Sequence, residues 1–199
     1  MPSNTWHRLR YTLWAPHYDR VTKLHPQRRR SIRLLALEPG ERLVIIGCGT
    51  GADLPFIPAD VQVLATDLTL AMLRQAQAHA RPGIDFRVMD GMALDLPDGS
   101  FDAALLHMVL EVIPDPARCL REAARVLRPG GRLAVFDKFL PDEARPGLLR
   151  KAGLALLDFV FTSTNRRMGE ILARSGAPFV VEHDEPSVGS YRHLILRRV

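Results

Sequence analysis

The stretch Arg42 to Leu54, RLVIIGCGTGADL, restricts the fold of this 199-residue chain more than any other. An apolar run from Leu43 to Ile46 leads directly into Gly47, Gly49 and Gly51. An apolar run without alternation, closed by glycines, is a strand buried on both faces, as in a parallel sheet. Glycine adopts turn dihedrals closed to other residues and leaves bare backbone that a ligand can approach. Cys48 is a residue of the loop, Asp53 comes just after it, and a helix-like pattern follows. The loop is therefore a candidate cofactor site, although a purely structural strand-to-helix turn carries the same signature.

The rest of the chain alternates strands with helices. Strands are expected at 61–67, 84–89, 101–107 and 132–137, with helices at 27–37, 70–80 and 116–127. Strands alternating with helices of this length predict an α/β fold built on a doubly wound parallel sheet. Ligands of such sheets sit beyond the carboxyl ends of the strands, where the strand order reverses. Gly47, Asp67, Asp90 and His107 all fall at expected strand C-termini. Asp67 closes its strand 20 residues after Gly47, a spacing that suits a carboxylate accepting from ribose hydroxyls. An Asp there can instead cap the following helix, but Thr69 is available for that task. Near the C-terminus, 179–183 and 191–196 read as two strands joined by a turn.

Composition narrows the class. A hydrophobic fraction of 47% and a charged fraction of 25% are those of an ordinary soluble protein, long enough for one domain with a sizeable core. No apolar run reaches the roughly 18 residues needed to span a bilayer. Met1 to Trp6 lacks an apolar signal core, so a cytoplasmic location is expected. Cys48 and Cys119 form no metal-ligand pattern, in keeping with a reducing compartment and no bound metal. The formal charge of +5 favours anionic partners. Residues 5–14 carry Trp6, Leu9, Leu13 and Trp14 among basic residues, which suits a cap helix packed on the domain or peripheral contact with an anionic membrane. Arg28, Arg29, Arg30 and Arg33 read as a solvated helix face or a phosphate-facing patch. No aromatics interleave with that cluster, which argues against nucleic acid.

Three further motifs refine the reading: Asp90-Gly91-Met92-Ala93-Leu94-Asp95-Leu96-Pro97, then Phe101-Asp102, then Arg125-Val126-Leu127-Arg128-Pro129-Gly130-Gly131. Gly47-x-Gly49-x-x-Ala52 alone also fits a nicotinamide-binding fingerprint. Together with the glycine loop, however, the motifs resemble the class I S-adenosylmethionine-dependent methyltransferases. With Tyr18-Asp19 and the run to Pro55, the chain looks most like bacterial phospholipid N-methyltransferases and quinone-biosynthesis C-methyltransferases.

The resemblance implies a Rossmann-like, seven-stranded, mostly parallel sheet with an antiparallel last strand and an N-terminal helical lid. It divides a single domain into a lid at 1–38, a cofactor-binding core at 40–138, and acceptor-side helices with the terminal strand pair at 139–199. It implies S-adenosylmethionine as cofactor, S-adenosylhomocysteine as product, and a lipid or small-molecule acceptor. Backbone at Gly47, Cys48 and Gly49 would approach the methionyl and ribose parts, and Asp67 the ribose diol. Leu68 and Met72 would line the adenine pocket, with Asp90, Gly91 and Met92 meeting the adenine amino group. His107 and Met108 would border the sulfonium side, and Tyr18 would close the site from the lid. Many family members carry an acid two residues before the first glycine; here that position is Ile45, and Asp53 is the candidate substitute.

A general base is needed only if the acceptor must lose a proton before it attacks. Candidates are Tyr18, His107 and Glu111, and the alternative for His107 is a residue shaping the cofactor wall. Asp137-Lys138 can orient a polar head group or simply solvate a strand end. The pattern Leu148, Leu149, Ala152, Leu156, Phe159 and Val160 gives a broad apolar helix face, for packing on the sheet or for an apolar acceptor tunnel.

Overall fold

Alternate side chains of the first strand, β1 (Arg42–Ile46), enter two different cores. Leu43 and Ile45 face one side of the sheet and Val44 and Ile46 the other, and all four are buried. This is what the unbroken apolar run anticipates, since a strand covered on both faces has no side left for water. The computed structural model describes residues 24–140 and 166–199. The expected helix at 5–14, Tyr18 and the apolar pattern at 148–160 lie outside the described residues.

In chain order, the described elements are α1 (His25–Leu35), β1, β2 (Gln62–Asp67), α2 (Leu70–Ala76), β3 (Ile84–Val88) and β4 (Phe101–His107). Then follow α3 (Pro116–Val126), β5 (Leu127–Lys138), α4 (Met168–Ser175), β6 (Phe179–Pro186) and β7 (Tyr191–Arg198). The seven strands form one sheet in the order β3-β2-β1-β4-β5-β7-β6. Strands β1 to β5 pair in parallel, while β7 inserts between β5 and β6 and runs antiparallel to both. The Rossmann-like sheet with an antiparallel last strand is thus as expected. The order reverses between β1 and β4, where α/β sheets open a crevice for ligands.

One core places Ile32 and Leu35 of α1 and Leu73 and Ala76 of α2 against Leu43, Ala65, Leu105 and Ile195. The opposite core packs Leu120 and Ala123 of α3 and Ile171 of α4 against Val44, Leu106, Val135 and Leu196. Local signals set the ends of the helices. The Asp115 carboxylate accepts from the Arg118 N–H at 3.1 Å, and Pro116 opens α3. Thr69 caps α2, its Oγ1 accepting from the Met72 N–H at 3.4 Å. α1 stops two residues before its expected end because Ala36 turns left-handed, at φ +48°.

The stretch after the glycine loop departs from expectation. In place of a helix there is one 3-10 turn, Leu54–Phe56, after which Ile57 is extended. Pro55 sits inside the turn, where a first-turn proline is tolerated, and Pro58 follows it; the residue before a proline is pushed towards extended backbone, which stops the turn at Ile57. A second difference is that β5 begins five residues before its expected start, because Leu127 already pairs with Phe101 of β4.

Candidate cofactor site

At the carboxyl ends of β1, β2, β3 and β4, four loops surround a cavity of about 700 Å³, counting its open mouth. Ile46, Gly47 and Gly49 supply one wall, and Asp67, Leu68, Thr69 and Met72 a second. Met89, Asp90 and Gly91 follow β3, and Met108, Val109, Val112, Ile113 and Pro114 follow β4. The lining is largely apolar with a few placed polar groups, the usual make-up of a small-molecule site.

The β1 loop and the end of β2 are tied together by one acid. Asp67 Oδ2 accepts from the Gly49 N–H at 3.0 Å, while Oδ1 accepts from Thr69 N–H at 2.9 Å and Thr69 Oγ1 at 3.1 Å. Burial pushes the Asp67 carboxyl above the usual range, and the hydrogen bonds from Thr69 and Gly49 offset part of that. Asp90 Oδ1 accepts from the Met92 N–H at 2.9 Å, so Met92 shapes the β3 loop without lining the cavity. A side chain at Gly47 would put Cβ 2.6 Å from Val109 Cγ2, so only bare backbone lets these two walls approach. Met108 lies at φ +60°, a conformation L residues rarely adopt, and its N–H donates to the Phe136 carbonyl at 2.8 Å.

Gly47, Gly49, Asp67, Leu68, Met72, Asp90, Gly91 and Met108 therefore meet around one cavity, from segments far apart in sequence. Cys48, Asp53 and His107 are not among its lining residues. Cys48 is buried in the α1-side core, and that burial pushes its thiol well up, which suits a packing role. Asp53 and His107 lie beneath the loop, with His107 Nδ1 2.7 Å from Asp53 Oδ1. The physical reason is strand alternation: His107 shares its face with Ala103 and Leu105, the face that α1 covers. Thr69, expected only as a helix cap, and Ile46, expected only as a strand residue, also line the cavity, and Met89, Val109, Val112, Ile113 and Pro114 complete it without having been proposed as site residues from sequence. The 108–114 loop has no periodicity to flag it; only its position after a strand end could have done so.

Residues 44–135 match the methyltransferase-domain family. A phosphatidylethanolamine N-methyltransferase of Cereibacter sphaeroides is 31% identical over 147 residues, covering 71% of this chain and 72% of that protein. The chain belongs to the S-adenosylmethionine-dependent methyltransferases. A demethylmenaquinone methyltransferase of Renibacterium salmoninarum is 37% identical over 130 residues, 62% of this methyltransferase and 54% of the relative. Among solved structures, the [4+2]-cyclase SpnF superposes with a TM-score of 0.78 at 20% identity, over 99% of this chain and 96% of SpnF. At that identity the likeness speaks for the fold alone.

Glu111 of this methyltransferase lies outside the cavity lining, on the β5 side of the 108–114 loop, and is almost fully buried. Its N–H donates to Asp137 Oδ2 at 3.1 Å, and its Oε2 stands 3.4 Å from Lys138 Nζ, an ion-pair separation. Burial pushes the Glu111 carboxyl up, and the Lys138 charge opposes the shift. Asp137 is pushed up further, by its own burial and then by the neighbouring Glu111 charge. Lys138 sits over the Tyr191 ring, 5.1 Å from its centroid. A carboxylate with a raised pKa beside an ammonium group is a local means of holding or passing a proton.

Proposed function

We propose that this methyltransferase transfers the methyl group of S-adenosylmethionine to an amphipathic acceptor, an aminophospholipid nitrogen or a prenylated quinone carbon. The observation that carries the reading is the meeting of the glycine loop with Asp67, through the Gly49 N–H, at the point where strand order reverses. When bound, the cofactor supplies an electrophilic methyl group on a sulfonium. The protein's task is then chiefly orientation, an effect worth up to ~7–11 kcal/mol when alignment is good.

In this reading Asp67 accepts from the ribose hydroxyls, which requires it ionised, and Gly47 and Gly49 admit the methionyl part against bare backbone. Leu68 and Met72 line the adenine pocket, and Asp90 with the Gly91 backbone meets the adenine's polar edge, Met92 serving only to hold Asp90. Met108 borders the sulfonium side, and Tyr18 closes the site. His107 already has partners on both ring nitrogens and Glu111 is buried beside Lys138 outside the cavity lining, so this reading relies on orientation of the acceptor and needs no general base from either. The names of the relatives, one acting on phosphatidylethanolamine and one on demethylmenaquinone, support an apolar-tailed acceptor. Exposed Arg29 and Arg33 on α1 support peripheral contact with an anionic lipid surface. Among the described residues no helix is long and apolar enough to cross a membrane.

The test has two arms. Calorimetry with S-adenosylhomocysteine should show binding to wild type and a loss of about tenfold or more in Asp67→Ala, since an acceptor of charged-group hydrogen bonds is removed. Incubating the protein with methyl-labelled cofactor and a bacterial extract should then place label in the lipid fraction. Unchanged affinity in Asp67→Ala would remove the ribose role, and label confined to water-soluble metabolites would remove the amphipathic acceptor.

A further inference from the structure

Beneath the cofactor cavity, on the face covered by α1, lies a closed ring of buried polar groups. Arg28 Nη1 donates to Asp53 Oδ2 at 2.7 Å, and Asp53 Oδ1 accepts from His107 Nδ1 at 2.7 Å. His107 Nε2 stands 2.9 Å from Ser31 Oγ, one helical turn beyond Arg28, which returns the ring to α1. Arg28, Ser31, Asp53 and His107 are each at most 4% exposed. An ionised Asp53 can only accept, so His107 Nδ1 donates to it, while Nε2 and the Ser31 hydroxyl share the second hydrogen bond. The ring thus sets the Asp53 carboxylate between the Arg28 guanidinium and the His107 imidazole, one oxygen to each.

Such a ring is not a cheap source of stability. Bringing charges out of water is costly, and well-packed apolar residues of similar volume often do as well. What an apolar substitute would lack is direction. The second guanidinium nitrogen, Arg28 Nη2, reaches Met108 Sδ at 3.2 Å. One planar side chain therefore bridges the segment that leaves the glycine loop, through Asp53, and a lining residue of the cavity, Met108. Asp53 belongs to the segment leaving the glycine loop, fixed by the Leu54 N–H to Gly51 carbonyl bond at 3.0 Å. Met108 lines the cavity in its left-handed conformation, which persists only where surroundings over-determine it.

We propose that Arg28 is the positioning residue of the cofactor site, clamping the segment that leaves the glycine loop to the Met108 wall and coupling the seating of α1 to occupation of the cavity. The inference rests on reading that cavity as the cofactor site. Because coupling is reciprocal, cofactor tightens α1 to the same extent that α1, through Arg28, tightens the cofactor. Lysine cannot take over, since its single nitrogen lacks the planar fork that spans Asp53 and Met108 together.

The test is hydrogen exchange with mass spectrometry on the full chain, with and without saturating S-adenosylhomocysteine, alongside calorimetry. In wild type the ligand should slow exchange across residues 25–35. Arg28→Met should bind the ligand about tenfold or more weakly, the scale of loss that small misplacements produce. In that variant the saturating ligand should no longer protect α1. Arg28→Lys should recover melting temperature more than affinity. Should Arg28→Met fail to fold, Met108→Leu keeps the Arg28–Asp53 pair and the side-chain volume, and should lose ligand protection of α1 at an unchanged melting temperature. Wild-type affinity in Arg28→Met overturns the proposal, as does α1 exchange indifferent to ligand in wild type. Affinity and stability recovering in step in Arg28→Lys, or full α1 protection in Met108→Leu, overturns it too. No ligand binding to wild type overturns the cofactor reading itself, and this inference with it.

Discussion

Gly47 and Gly49, two positions apart in one loop, exclude side chains for different reasons. At Gly47 the backbone is left-handed, at φ +75°, and a Cβ would meet Val109 at 2.6 Å. At Gly49 φ is +57°, yet a Cβ would find nothing within 4 Å, so space is open on the side where the cavity lies. Gly49→Ala should therefore fold, losing about 1–2 kcal/mol to the left-handed backbone, while its methyl obstructs the cofactor. Gly47→Ala adds displacement of Val109 and should melt at a lower temperature than Gly49→Ala. Thermal unfolding and S-adenosylhomocysteine titration of the two variants check this; equal melting temperatures, or wild-type affinity in Gly49→Ala, would contradict it. Residues of this kind were legible because glycines and acids at strand ends have one rim to share. Asp53 and His107 were not, because their position along the chain is right while their side chains turn beneath the sheet. The alternation Ala103, Leu105, His107 holds that information, but it becomes decisive only once α1 is known to cover that face.

At the scale of elements, two of the motifs that carried the family resemblance turn out to hold loops rather than ligand. Arg125 on α3 donates to both Glu122 oxygens at 2.9 Å, to Asp98 Oδ1 at 2.6 Å, and to the Leu94 and Leu96 carbonyls at 2.8 and 2.7 Å. One guanidinium thus fixes the irregular 94–98 stretch between β3 and β4, while Glu122 also accepts from the Leu94 N–H at 2.7 Å. Arg128 reaches Asp102 Oδ1 at 2.6 Å, and Asp102 Oδ2 accepts from the Arg42 N–H at 2.8 Å, which joins the Phe101-Asp102 and Arg125–Gly131 motifs to the start of β1. Arg125→Lys cannot serve four groups, and should cost about 2 kcal/mol, at the level of lost charge-assisted hydrogen bonds. For a protein of this size that is roughly 4–8 °C in Tm, read by thermal unfolding; a shift below 1 °C would mean that the loop has other supports. Strands and α3 were foreseeable from periodicity. The single turn at Leu54–Phe56 was not, because a helix-like pattern suggested a longer helix than Pro58, which holds Ile57 extended, allows.

For the molecule as a whole, two aspartates on either side of the glycine loop are displaced in opposite directions. Burial raises Asp67, whereas His107 and Arg28 outweigh burial and hold Asp53 well below the usual carboxylate range. An ordinary Asp ionises near a pKa of about 3.9. Asp53, depressed when folded, contributes stability that is present above that value and lost only as pH falls through its lower folded value. Asp67, raised when folded, takes up its proton first, and so do Glu111 and Asp137, whose pKa values are also raised. Protonating those three as pH falls favours the folded state, because the folded state binds the protons more tightly than the unfolded one. Protonated Asp67, however, cannot accept from a ribose diol with both oxygens. Acidification should therefore separate function from fold: S-adenosylhomocysteine affinity begins to fall while pH is still above about 4, and the melting temperature holds until pH drops below that. Calorimetric titrations and thermal melts across pH 7 to 3 check the order of the two losses. If affinity and stability decline together, Asp53 is not what keeps the loop in place once Asp67 is neutral. If affinity is flat down to the point of unfolding, Asp67 is not the group that meets the cofactor.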